Sequence, residues 1–230
     1  MTSTPTVSQV LKEAGQPTDA PMSEGHPEKL EGASGRIRAF VALALPPVWI
    51  EVLARLLEQL RARPGGGSVR WVRADQLHLT LHFLGNVNPA EVTRLSAELT
   101  AACAGVRSFD LHLAELGGFP DLRTPRVIWI GLHGATDRLA ELQQRVEAAI
   151  RHLGDHREDR VFHPHLTLGR MSTRSRDAGR RGGSMTEVPL PRSGPWTVQD
   201  VRLVQSEPRP QGSRYTVLTR VPLVEQGASG

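Results

Sequence analysis

A sustained apolar pattern first appears at position 37. Residues 1–35 are dominated by Ser, Thr, Pro, Gly, Glu and Ala without an apolar period. That composition predicts a flexible extension outside the fold, with a short helical turn at Val10-Leu11 as its one local feature. From Ile37 to Leu45 nearly every residue is apolar, and the run stops at Pro46-Pro47, as a buried strand does. Val48, Val52, Leu53, Leu56, Leu57 and Leu60 then recur at three- and four-residue steps, an amphipathic helix ended by Pro64 and Gly65 to Gly67. Two strands are expected over 69–72 and 77–84. Asn88 as cap, Pro89 in the first position and Glu91 as third residue open a second helix, whose stripe is Val92, Leu95, Leu99 and Cys103.

The second half repeats the plan. Strands are expected over 109–116 and 127–132 around a turn at Gly117-Gly118-Phe119-Pro120. Thr136 is expected to cap a helix carrying Leu139, Leu142, Val146, Ile150 and Leu153. A strand over 164–169, an Arg/Gly/Ser loop over 174–184 and a hairpin of 198–206 with 215–222 around Pro208 to Gly212 complete the pattern. Strands and helices mix without strict alternation, which predicts an α+β fold with mostly antiparallel sheets. The expected organisation is one domain over 36–224, in two lobes, with a short tail over 225–230.

Composition narrows the class. At 230 residues and 39% apolar, the chain has enough material for one globular core. It contains no run near the roughly 18 apolar residues that cross a bilayer, and no basic flank leading into an apolar stretch as in a secretory signal. The single cysteine, Cys103, excludes an internal disulfide and a cysteine-based zinc site. The expectation is a cytoplasmic monomer with no membrane partner. The net charge is +4, and Lys12 and Lys29 are the only lysines among 28 basic residues. Arginine's planar fork suits phosphate, but a GC-rich coding sequence produces the same bias, so composition alone names no ligand.

One feature stands above this background. His78-Leu79-Thr80-Leu81 recurs word for word as His165-Leu166-Thr167-Leu168, each copy in a predicted strand. Residues two apart on a strand share a face, so each copy offers an imidazole and a hydroxyl to one surface and two leucines to the other. Related by a pseudo-twofold axis, the two pairs would face one another across a cleft. Such a pair suits the opening of a cyclic phosphate. A base takes a proton from water, an acid protonates the departing sugar oxygen, and hydroxyls donate to the non-bridging oxygens. No cofactor or metal is required.

With these motifs stands a longer series: Arg38-Ala39-Phe40-Val41-Ala42-Leu43 with Pro46, Trp71-Val72 leading to His78 through Gly85, Phe162 through Arg170, and Leu203 through Glu207 with Gly212 and Tyr215. In that order they resemble the two-histidine (2H) phosphoesterases, and within them the RNA 2',3'-cyclic phosphodiesterase (2'-5' RNA ligase) family, over about residues 36–222. The resemblance implies a bilobal fold with helices outside a central cleft. It implies His78 as proton donor to the leaving oxygen and His165 as the base that activates water, with Thr80 and Thr167 holding the phosphate. Arg170 would add a charge-assisted contact. The substrate implied is RNA ending in a 2',3'-cyclic phosphate, tRNA fragments being one candidate, and the product a 2'-phosphomonoester. The same pair run in reverse would join such an end to a 5'-hydroxyl.

The residues also fit competing readings. His78 with His82, and His163 with His165, share predicted strand faces, so four imidazoles converging on a metal is the rival to acid–base chemistry. Phe40 and Trp71 are either base-stacking platforms or core. The arginines 174, 176, 180 and 181 either track an RNA backbone or form a solvated loop. Other cyclic nucleotide phosphates, 2'-5'-linked oligonucleotides, or RNA-end binding without turnover are the alternatives to the main reading.

Overall fold

The computed structural model describes residues 23–24, 35–122, 124–157, 161–171, 188–209 and 212–225. Val10-Leu11 and the 174–184 loop lie outside the described residues. The elements run β1 (Ser23–Glu24), β2 (Ile37–Ala44), α1 (Pro47–Ala62), β3 (Val69–Trp71), β4 (His78–Val87), α2 (Val92–Cys103), β5 (Phe109–Phe119) and β6 (Val127–Gly134). They continue with α3 (Thr136–Ile150), β7 (His165–Met171), β8 (Trp196–Val198), β9 (Asp200–Glu207) and β10 (Arg214–Pro222).

Each helix begins for an identifiable reason. Pro47 takes the first position of α1, where its missing N–H leaves nothing unpaired. Trp49, not Val48, then starts the buried stripe with Leu53, Leu56, Leu57 and Leu60, and Val48 stays exposed. Ahead of α2 the Asn88 side chain accepts the Ala90 N–H at 3.1 Å, and Pro89–Glu91 form one tight turn before the helix proper. The cap expected of Thr136 does not form. Thr136 is already helical, and Ala135 precedes it with its N–H given to the Asp110 carbonyl at 3.0 Å. The start of α3 is thus tied to β5 by main chain, and no side-chain cap is made.

The strands join in the order β1-β10-β9-β2-β4-β7-β6-β5-β8, with β3 added to β7 off this path. Pairing is antiparallel except for β1 on β10. The fold is therefore α+β and mostly antiparallel. Its two lobes meet where β4 and β7 touch at a single pair, Leu79 with Leu166. Behind this seam Leu79, Leu81, Leu166 and Leu168 are buried in one core with the apolar faces of α1, α2 and α3.

Two expectations need correction. Gly117 to Phe119 do not turn but continue β5, paired with Trp129, Ile128 and Val127. The glycine answers a close approach: a Cβ at Gly117 would lie 2.2 Å from the Trp129 ring. Val198 does not belong to the C-terminal hairpin either. It ends β8, which pairs with β5 in the second lobe, whereas β9 begins at Asp200 and pairs with β2 in the first. Gln199 is where the chain crosses between lobes, so each lobe is assembled from separated stretches of sequence.

Candidate active site

The two motif strands form the floor of a cleft of about 680 Å³, lined among others by His78, Thr80, His165, Thr167, Arg170, Phe40 and Trp71. Continuing the antiparallel count from Leu79–Leu166 sets His78 opposite Thr167 and Thr80 opposite His165. The motifs are thus related by a local twofold through that leucine pair. Side chains of the same kind lie diagonally across it.

Beyond the threonines, period-two alternation fails in both strands at the same motif position. On β4, Ala42 pairs with Thr80 and Val41 with His82, so Leu81 has no partner. On β7, Trp129 pairs with Thr167 and Ile128 with Gly169, so Leu168 has none. Each is a bulge, which flips the residues after it to the opposite face. As a result Phe83 and Arg170, each five residues after its histidine, both line the cleft. Arg170 reaches the site only through this bulge, and Phe83, whose role the sequence did not suggest, occupies the equivalent position. The same bulge turns His82 away from the cleft into a buried position. His78 and His82 therefore do not share a face, and the four-imidazole cluster weighed from the sequence is not assembled. Among the described residues no group of three or more His, Cys, Asp or Glu is placed to hold a metal.

Both cleft histidines are held alike. His78 Nδ1 lies 2.8 Å from the Gln76 carbonyl oxygen and His165 Nδ1 lies 2.7 Å from that of His163. A carbonyl only accepts, so both Nδ1 atoms carry hydrogen, and in a neutral imidazole of that tautomer Nε2 is the basic nitrogen. Aromatic rings wall each imidazole. Phe40 stacks on His78 at 4.8 Å and Tyr215 meets it edge-on at 5.4 Å. Phe119 meets His165 edge-on at 5.1 Å, with Trp129 at 6.1 Å. Burial lowers the His78 pKa below its ordinary value, against the smaller opposing effect of the Gln76 carbonyl.

Phe40 is both core and cleft wall: it is 3% exposed, and His78 covers a ring face that a base would need. Trp71 is half-buried and donates its indole N–H to the Gly66 carbonyl at 2.9 Å. It packs beside Gly169, where a Cβ would come within 2.9 Å of its ring, so a side chain there would lift β3 off β7. Trp129 and Trp196 are core. Cys103 is buried, and burial pushes its thiol up to about 11, so it is inert as a nucleophile.

Several cleft residues were given no role by the sequence, although Arg38 and Tyr215 stand in the stretches that carry the family resemblance. Arg38 stands 4.7 Å over the Phe83 ring, Arg70 faces the cleft from β3, and Tyr215 reaches in from β10. Burial raises the Tyr215 phenol, against the smaller opposing effects of a hydrogen bond with Ser213 and of the Arg170, Arg38 and Arg70 charges. The pairing of β3 with β7, of β2 with β4, and of β10 through β9 with β2 brings these side chains to the motifs.

Residues 46–208 match the family model described as the 2'-5' RNA ligase superfamily. The RNA 2',3'-cyclic phosphodiesterase of Archaeoglobus fulgidus is 31% identical over 182 residues, covering 78% of this chain and 96% of its own. That of Methanothermobacter thermautotrophicus is 29% identical over 183 residues, 79% of this chain and 96% of its own. Among solved structures, E. coli LigT complexed with 3'-AMP superposes with a TM-score of 0.64 at 29% identity, covering 82% of this chain and 98% of LigT.

Proposed function

This chain belongs to the 2'-5' RNA ligase superfamily, and we propose that it opens 2',3'-cyclic phosphate ends of RNA to 2'-phosphomonoesters. The observation that carries the reading is the matched anchoring of two imidazoles that line one cleft, each with its Nδ1–H on a main-chain carbonyl. Two proton-transfer groups of fixed tautomer, alternating with two hydroxyls across a local twofold, suit an in-line displacement at phosphorus. Relatives named for this activity, and LigT solved with 3'-AMP, support the same substrate class.

In this reading Thr80 and Thr167 donate to the non-bridging oxygens, where charge builds in the transition state. Neutral His165 takes a proton from water at Nε2 as the water oxygen bonds to phosphorus. Protonated His78 delivers its Nε2 proton to O3' as the P–O3' bond breaks, and the P–O2' bond remains. The lowered pKa of His78 means that its charged form is poorly stabilised by the protein's own groups. The phosphate anion supplies the missing counter-charge, so protonation of His78 and substrate binding favour one another. Arg170 adds positive charge beside the phosphate.

The test is hydrolysis of a short RNA ending in a 2',3'-cyclic phosphate, with excess EDTA, by wild type, His78→Ala and His165→Ala. Cleavage to a 2'-phosphate that resists EDTA and falls by about 10²–10⁴ in each variant is the expected result. Loss of activity in EDTA would make metal chemistry the better account. Absence of turnover by wild type would favour another cyclic nucleotide or a binding role.

A further inference from the structure

Five arginines line the cleft: Arg38, Arg70, Arg73, Arg170 and Arg209. Two are neutralised. Arg73 makes a two-pronged pair with Asp75 at 3.0 and 2.8 Å, and Arg209 contacts Glu207 at 2.7 Å. Arg38, Arg70 and Arg170 have no carboxylate partner among the described residues. Two of these three face each other directly, since Arg70 and Arg170 are paired residues on β3 and β7. Like charges opposite one another across an antiparallel pair are destabilising, so this placement works against the fold unless an anion bridges them. Arg38 approaches from the other lobe, and the electric field of all three reaches the Tyr215 hydroxyl.

That is more charge than one reacting group requires. A cyclic phosphate carries a single negative charge, and the threonine hydroxyls, the two imidazoles and Arg170 already address it. We propose, resting on the reading of this cleft as a cyclic-phosphate site, that Arg70 and Arg38, beside an Arg170 shared with the reacting phosphate, form a second anion subsite. Its ligand is the phosphodiester preceding the terminal nucleotide, and it makes the enzyme select oligonucleotide ends over mononucleotides. The guanidinium fork matches the paired non-bridging oxygens of a phosphodiester. Three such forks from two lobes grip the backbone without reading a base.

The experiment uses two dinucleotides ending in a 2',3'-cyclic phosphate, identical except that one has a phosphodiester linkage and the other an uncharged methylphosphonate. For wild type, kcat/KM for the charged linkage exceeds that for the neutral one by about tenfold or more, and the preference shrinks as salt rises. In Arg70→Gln the ratio of the two falls towards one, whatever happens to each rate. Equal rates in wild type, or a wild-type ratio preserved in Arg70→Gln, would overturn the subsite. If wild type cleaves neither dinucleotide, the reaction assigned to the cleft is wrong. Calorimetric binding of the same pair to both proteins then decides the subsite by itself: the tenfold contrast, lost in Arg70→Gln, upholds it, and equal affinities refute it.

Discussion

Phe40 links fold stability to the ionisation of His78, so its truncation tests both. The ring is 3% exposed, packs with Ala42 and Val204 against Phe83 and Tyr215, and stacks on His78 at 4.8 Å. A buried Phe→Ala change costs about 3–5 kcal/mol. Phe40 borders an open cleft rather than the deep core, so water can enter the space left behind and the cost falls near the low end. For a domain of this size, about 3 kcal/mol lowers Tm by about 6–12 °C. The same water rehydrates the imidazole. Desolvation is the main cause of the lowered His78 pKa, so Phe40→Ala moves that pKa up towards the ordinary value near 6.5. NMR titration of the imidazole protons measures the shift, with His78 assigned by its absence from the His78→Gln spectrum. Whichever limb of the pH–rate profile His78 governs moves to higher pH by the same amount. A folded Phe40→Ala protein in which His78 titrates at its wild-type pH, or lower, would refute burial as the cause.

Other perturbations separate chemistry from packing. Thr80→Val and Thr167→Val each keep the shape of the side chain and remove a donor, so each lowers kcat by about 10² with KM little changed. Steady-state kinetics that show only a KM effect would place the hydroxyls outside the transition state. Because the His78 pKa is lower in the fold than in the unfolded chain, its contribution to stability is complete above about pH 6.5 and is lost as pH falls below that. Denaturation curves of wild type and His78→Gln should therefore converge as the pH is lowered from 7 to 5, and parallel curves would contradict the assignment. Gly117→Ala drives a methyl into the Trp129 ring, 2.2 Å from the Cβ position. It costs about 1–3 kcal/mol and, through the contacts of Trp129 with His163 and His165, lowers activity. An unaltered Tm would show that β5 shifts freely.

Much of this protein was determined by local pattern in the sequence. The three helices, the strands over the two motifs and the shared face of His78 with Thr80 and of His165 with Thr167 follow from apolar spacing of 3.6 and 2 residues. Those periods are properties of the chain's own geometry and need no knowledge of neighbours. The Asn88-Pro89 helix start was legible for the same reason, because its capping bond spans two residues. What failed depended on a partner strand. The Gly117-Gly118 pair carries the composition of a turn, yet it is extended strand because the Trp129 side chain lies against it. The bulges at Leu81 and Leu168 exist only relative to β2 and β6, and they alone decide that Phe83 and Arg170 face the cleft while His82 does not. Arg38, Arg70 and Tyr215 come from stretches far apart in the chain, and strand pairing gathers them around one cleft. The sequence therefore determined which groups carry the proposed chemistry. Register across the sheet, set by the burial of side chains on neighbouring strands, decided which residues surround them.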